Sequence, residues 1–219
     1  MFYEKIAFPL AQAFARLPQL PFGRDIQTKD VLKWRCDYVW NTNIMVGVSL
    51  YFTNRMLIDL SVKGTNCAVL FFGDGRVNPH AIAGHESPTK ANAFSRMTNS
   101  FDDHSVLEFA TAFFKAARHQ PKNFHPPKVW HMGWGDPADK RNYIPLPFYE
   151  FEWLRKDVGL VQPGEVHHPR VIVVVSGISG QVLSYQRLFL PITGDFEPSL
   201  PGGQPPLNEK TVNSITNSP

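Results

Sequence analysis

The stretch Val171 to Pro191 reads V-I-V-V-V-S-G-I-S-G-Q-V-L-S-Y-Q-R-L-F-L-P, and its reading decides the fold. Two runs of β-favouring residues flank a short Ser/Gly segment, the pattern of a β-hairpin. Gly177 and Gly180 are the residues able to take the positive φ that closes such a turn. Val171 to Val175 is apolar at every position, which predicts a strand in the middle of a sheet, covered on more than one side. Upstream, Leu146 to Arg155 alternates, with Tyr149, Phe151 and Trp153 on one parity and Glu150 and Glu152 on the other. That predicts a half-buried strand with a solvated outer face. Lys128 to Trp134 reads as a further strand.

Working outward, Asp103 to Arg118 carries the strongest helical pattern. Val106, Phe109, Ala110, Phe113, Phe114 and Ala117 share one side of the wheel, and Glu108, Thr111, Lys115 and Arg118 the other. Ser100, Asp102 and Asp103 offer N-caps, and Pro121 opposes continuation. In the first half, a short helix with Ile6, Leu10, Phe14 and Leu17 at helical spacing precedes four strand patterns. These are Lys33–Trp40, Val46–Phe52, Met56–Val62 and Cys67–Phe72, with turns at Thr53-Asn54-Arg55 and Lys63 to Asn66. The expected fold is therefore α+β, with two helix-plus-antiparallel-sheet units in tandem. Residues 1–75 form the first unit, 76–99 a connector with one helical turn around Pro88 to Met97, and 100–191 the second unit. Residues 192–219 are rich in Pro, Gly, Asn and Ser and read as a disordered tail from about Pro198.

Bulk composition narrows the function classes. The chain has 219 residues, 43% hydrophobic and 19% charged, which suffices for a substantial core. A net charge of +3, spread without charge runs, argues against a nucleic-acid partner. No stretch reaches the roughly 20 apolar residues of a membrane span. The start, interrupted by Glu4, Pro9 and Gln12, is not a signal peptide by pattern. Cys36 and Cys67 either pair across neighbouring strands in an oxidising compartment or serve as small core side chains.

The second half resembles the PepSY-type repeat, one helix packed on a small antiparallel sheet, broadly cystatin-like. The resemblance rests on Val173-Val174-Val175-Ser176-Gly177-Ile178-Ser179-Gly180-Gln181-Val182 and on the helix Asp103 to Arg118. It departs at Ser176, where the family has Asp, and in the longer loop Gly133 to Pro145. The family resembles modules that bind or restrain peptidases and carries no known catalytic residues. Similar proteins are exported by bacteria, which implies an extracytoplasmic setting.

No pattern in the chain demands catalysis. His119, His125 and His131 are spaced by six residues, unlike the close spacings that bring ligands within about 2.1 Å of zinc. Ser179 lies in a strand–strand turn, not a strand-to-helix elbow. Glu150 and Glu152 share a strand face and read as solvated. The leading expectation is a non-catalytic protein- or peptide-binding or regulatory module without cofactor or metal. Its candidate binding residues are Trp130, His131, Trp134, Asp136, Arg141 and Trp153, around the Gly133 to Pro145 loop. The alternatives are a small-ligand-binding protein or a hydrolase using a pocket between sheet and helix, or a structural part of an envelope assembly.

Overall fold

The computed structural model describes residues 7–22, 24–39, 45–63, 66–84, 88–156, 169–188 and 190. Helix α1 (Phe8–Ala15) precedes four strands, β1 (Val31–Val39), β2 (Met45–Phe52), β3 (Met56–Lys63) and β4 (Asn66–Asp74). Two short helices follow, α2 (Pro79–Gly84) and α3 (Pro88–Ser95), then the longer α4 (Asp103–Ala116). The chain closes with β5 (Lys128–Trp134), β6 (Ile144–Leu154), β7 (Arg170–Ser176) and β8 (Val182–Leu188). All eight strands join one antiparallel sheet in the order β1-β2-β3-β4-β8-β7-β6-β5. The fold is α+β, and the two strand sets meet where β4 pairs with β8.

The decisive hairpin is β7–β8. Gly180 donates its N–H to the Ser176 carbonyl (2.8 Å), and Ser176 donates to the carbonyl of Gln181 (2.9 Å). Gly180 takes the expected positive φ of 68°. Gly177 does not, and has a different reason to be glycine. A Cβ there would stand 2.7 Å from both Asn99 Oδ1 and the Tyr149 ring. Its carbonyl also accepts from the N–H groups of Ser100 and Phe101, tying the approach to α4 onto the turn.

Helix α4 starts as its sequence indicates. Asp102 is the N-cap, its Oδ1 accepting from the Ser105 N–H at 2.8 Å. The helix stops two residues before Arg118, which turns to φ 63°. Its buried stripe of Val106, Ala110, Phe113 and Phe114 packs against β6 and β7. Helix α1 lies on the same face of the sheet. Phe14 contacts Phe113 (6.0 Å between ring centroids), Phe72 of β4 (6.1 Å) and Tyr185 of β8 (5.6 Å). One hydrophobic core on this helix face draws residues from both strand sets.

The segment 76–99 is more than a connector. Its helices α2 and α3 carry Ile82, Ala91 and Phe94 onto the other, outer face of the sheet, against Leu146, Phe148, Val174 and Leu183. The reason lies in β6, whose outer parity is apolar at Leu146 and Phe148 before it turns acidic at Glu150. That apolar stretch needs a cover. The Lys63 to Asn66 turn and the tail beyond Pro198 fall wholly or partly outside the described residues. Strands β1 and β4 are separated by β2 and β3, which sets Cys36 about 14 Å from Cys67 by strand spacing. Cys36 carries a thiol. No described helix is long and apolar enough to cross a membrane.

A candidate groove on the outer face of the sheet

Register places one row of side chains across the outer face of all eight strands: Lys33, Tyr51, Leu57, Gly73, Ser184, Val174, Glu150 and Trp130. Directly paired residues share a face. A second row runs beside it through Arg35, Ser49, Asp59, Phe71, Gln186, Ile172, Glu152 and Lys128. Helices α2 and α3 cover the outer face towards β5 and β6. On the β1–β4 side the cover gives way to a groove of about 520 Å³.

Leu32, Tyr51, Leu57 and Phe71 supply the apolar lining, with Pro79 at the start of α2. Leu32 is 74% exposed and Tyr51 37%, large apolar surfaces left to solvent. Leu32 is the extra residue where the β1–β2 register shifts between Val31 and Lys33. Arg55 lines the groove from the β2–β3 turn; its carbonyl accepts from the Gly75 N–H at 2.9 Å, joining that turn to the end of β4. Asp74 is buried in the wall, and its carboxylate is taken up by the Arg76 guanidinium at 2.6 Å.

The inner end is polar. His80 and Ser184 line it. His80 Nδ1 lies 3.8 Å from Glu150 Oε2, while Nε2 is buried and has no hydrogen-bond partner among the described residues. Ser184 is 3% exposed, and its Oγ likewise lacks a partner there. Burial raises the Glu150 carboxyl above its ordinary range, against the opposing pull of His80. Glu152 is held by Arg170, Nη1 to Oε1 at 3.2 Å. Glu150 and Glu152 are therefore half-buried neighbours of α2 and Arg170, and the solvated face expected for them is not what the structure shows. Their partners come from other elements, invisible to strand alternation.

The six residues singled out from the sequence do not converge. Trp130 lies on the outer face in the Glu150 row, 43% exposed, at the sheet edge opposite the groove. His131 points to the helix face, where its ring meets Tyr149 (4.7 Å) and Nε2 lies 3.5 Å from Asp103 Oδ2. Trp134 is half-buried against the outer apolar cluster. Asp136 and Arg141 belong to the exposed β5–β6 turn. Asp136 Oδ1 accepts from the Ala138 N–H at 2.8 Å, and the Arg141 N–H donates to Asp139 Oδ1 at 3.2 Å. Trp153 is core, stacked on Phe114 at 4.5 Å.

A second polar group lies within the core rather than at a surface. His119 Nε2 and Tyr185 Oη are 2.8 Å apart, both buried, beside the buried Arg187. Burial first, then the Arg187 charge, lowers the His119 pKa to about 3, so the ring is neutral. Burial raises the Tyr185 phenol. This pair is walled by Phe113, Phe114 and Phe124. Among the described residues, no three or more His, Cys, Asp or Glu are grouped to hold a metal ion. Compared with known proteins, the chain matches no family model, no curated protein and no solved structure.

Proposed function

We propose that the chain is a non-catalytic binding module that holds an apolar segment of a protein or peptide partner in the outer-face groove. One observation carries this reading. Leu32, Tyr51, Leu57 and Phe71 form an apolar lining that the fold leaves open, while the equivalent surface over β6 and β7 is covered by α2 and α3. Concave, mostly apolar surfaces with a few placed polar groups are the usual form of recognition sites. Lys33 and Arg55 border it, so acidic residues flanking the apolar segment suit it.

A peptide-display selection against the whole chain tests the reading. Selected peptides should be apolar with acidic flanks and should lose at least about tenfold in affinity on Leu57→Asp, an outer-face change that leaves the helix-side core intact. Binders indifferent to Leu57→Asp, or mapped by hydrogen exchange to the helix face, would overturn it. A small-molecule ligand is the second reading, favoured by the polar inner end at His80 and Ser184.

We further propose that the two strand sets are tandem units and that the second is akin to the PepSY-type repeat. The supporting feature is the order helix then four strands, present as α1–β4 and, without α2 and α3, as α4–β8. The pairing of the last strand of each set adds to it. PepSY-type modules that restrain peptidases suggest inhibition of a peptidase as one form of the binding role.

A further inference from the structure

We infer that the inner end of the groove is a socket for an uncharged head group that both donates and accepts a hydrogen bond, a carboxamide above all, carried on an apolar body. This rests on the groove reading above and specifies what enters the groove first. Two buried polar atoms of residues lining this end lack partners among the described residues: Ser184 Oγ and His80 Nε2. Such atoms are rare in native proteins and unfavourable unless something completes them.

Their chemistry differs. Glu150 Oε2 lies on the Nδ1 side of the His80 ring and draws the imidazole proton there. Nε2, on the far side of the ring, is then an acceptor. The Ser184 hydroxyl has a proton to donate. A carboxamide answers both, its N–H₂ to Nε2 and its carbonyl to Oγ. A carboxylate would set acceptor against acceptor at Nε2 and bring a second negative charge towards Glu150. An ammonium group would enter with its nearest carboxylate, Glu150, standing behind the imidazole. A buried charge without a counter-ion is strongly disfavoured. The remaining charges at the groove, Asp74 with Arg76 in the wall and Arg55 at the β2–β3 turn, are paired together or stand at a turn. Behind the head, Tyr51, Leu57 and Phe71 take the apolar body. In a protein partner the natural head is a Gln or Asn side chain with an apolar neighbour.

Four probes with one body separate head from groove: phenylbutyramide, its methyl-ester analogue methyl phenylbutyrate, phenylbutyrate and phenylbutylamine. Each is titrated into the whole chain by heteronuclear NMR, whose spectrum also reports that each variant is folded. The amide should bind tightest, about tenfold over the ester, which accepts but cannot donate. Ser184→Ala and His80→Phe should each bring the amide towards the ester's affinity, and Leu57→Asp should weaken all four probes. Equal binding of amide and ester, or an amide affinity unchanged by Ser184→Ala, overturns the socket. If all four bind alike and Leu57→Asp weakens them, the groove stands without the socket. If none binds, the socket falls, and the peptide selection decides the groove separately.

Discussion

His119 is a base whose surroundings keep it neutral. It is packed among Phe114, Phe124 and Tyr185 with the Arg187 charge nearby, and its pKa falls to about 3. In the unfolded chain the ring takes a proton near pH 6.5. The unfolded state therefore binds the extra proton first. Stability is present in full above pH 6.5 and declines as pH falls towards 3, by at most about 1.4 kcal/mol per pH unit. Urea denaturation at pH 7.5, 6 and 5 measures this. His119→Gln, which can still reach Tyr185 but does not titrate, should lower stability at pH 7.5 by roughly 1–3 kcal/mol. It should also lose less on acidification than the parent; an identical acid slope would remove His119 from the account. Glu150 has the opposite sign. Its carboxyl is raised by burial, so its contribution is present at low pH and lost as pH rises through the ordinary carboxylate range. Glu150→Gln should leave stability at pH 7 unchanged or higher by up to about 1 kcal/mol, and that gain should vanish as pH falls below the ordinary carboxylate range.

At the scale of elements, the β7–β8 turn depends on two glycines for two reasons. Gly180 needs its left-handed backbone, and a Cβ would also approach the Phe109 ring to 2.8 Å. Gly180→Ala should destabilise by about 1–3 kcal/mol. Gly177→Ala should instead disrupt the Asn99 Nδ2 to Tyr149 Oη hydrogen bond of 2.9 Å, visible as a changed Tyr149 environment by NMR. A Gly180→Ala midpoint equal to the parent's would refute the turn account. Strands and α4 were legible because local patterning and tertiary burial agree there: Tyr149, Phe151 and Trp153 do face the helices, and Asp102 does cap. The groove was hidden by the same reasoning. Tyr51, Leu57 and Phe71 are apolar on the parity taken as polar, and that mismatch was its one available signal. The contribution of His80 had no local signal, because its partner Glu150 lies 70 residues on and only α2 brings them together. Trp130 and Trp153 looked alike in sequence, yet sit on opposite faces with opposite exposure, since residues of opposite parity on paired strands part company when the register is set.

At the scale of the molecule, the seam decides whether the chain unfolds as one body. Only three register pairs join β4 to β8: Phe71 with Gln186, Phe72 with Tyr185, and Gly73 with Ser184. So short a ladder would be a weak link on its own. The helix face above it changes that, because Phe14 of α1 and Phe113 of α4 meet directly over Phe72 and Tyr185. Removing the Phe72 ring strips contacts from both strand sets at once, and a buried Phe→Ala change destabilises by about 3–5 kcal/mol. Two reporters separate the possibilities. In one variant Trp34 on β1 is the sole tryptophan, and in another it is Trp153 on β6. Under urea the two should report one transition in the parent sequence, and Phe72→Ala should move both midpoints down together. If the Trp153 midpoint held while that of Trp34 fell, the four rings would not couple the halves, and the sheet would be two folding units sharing an edge.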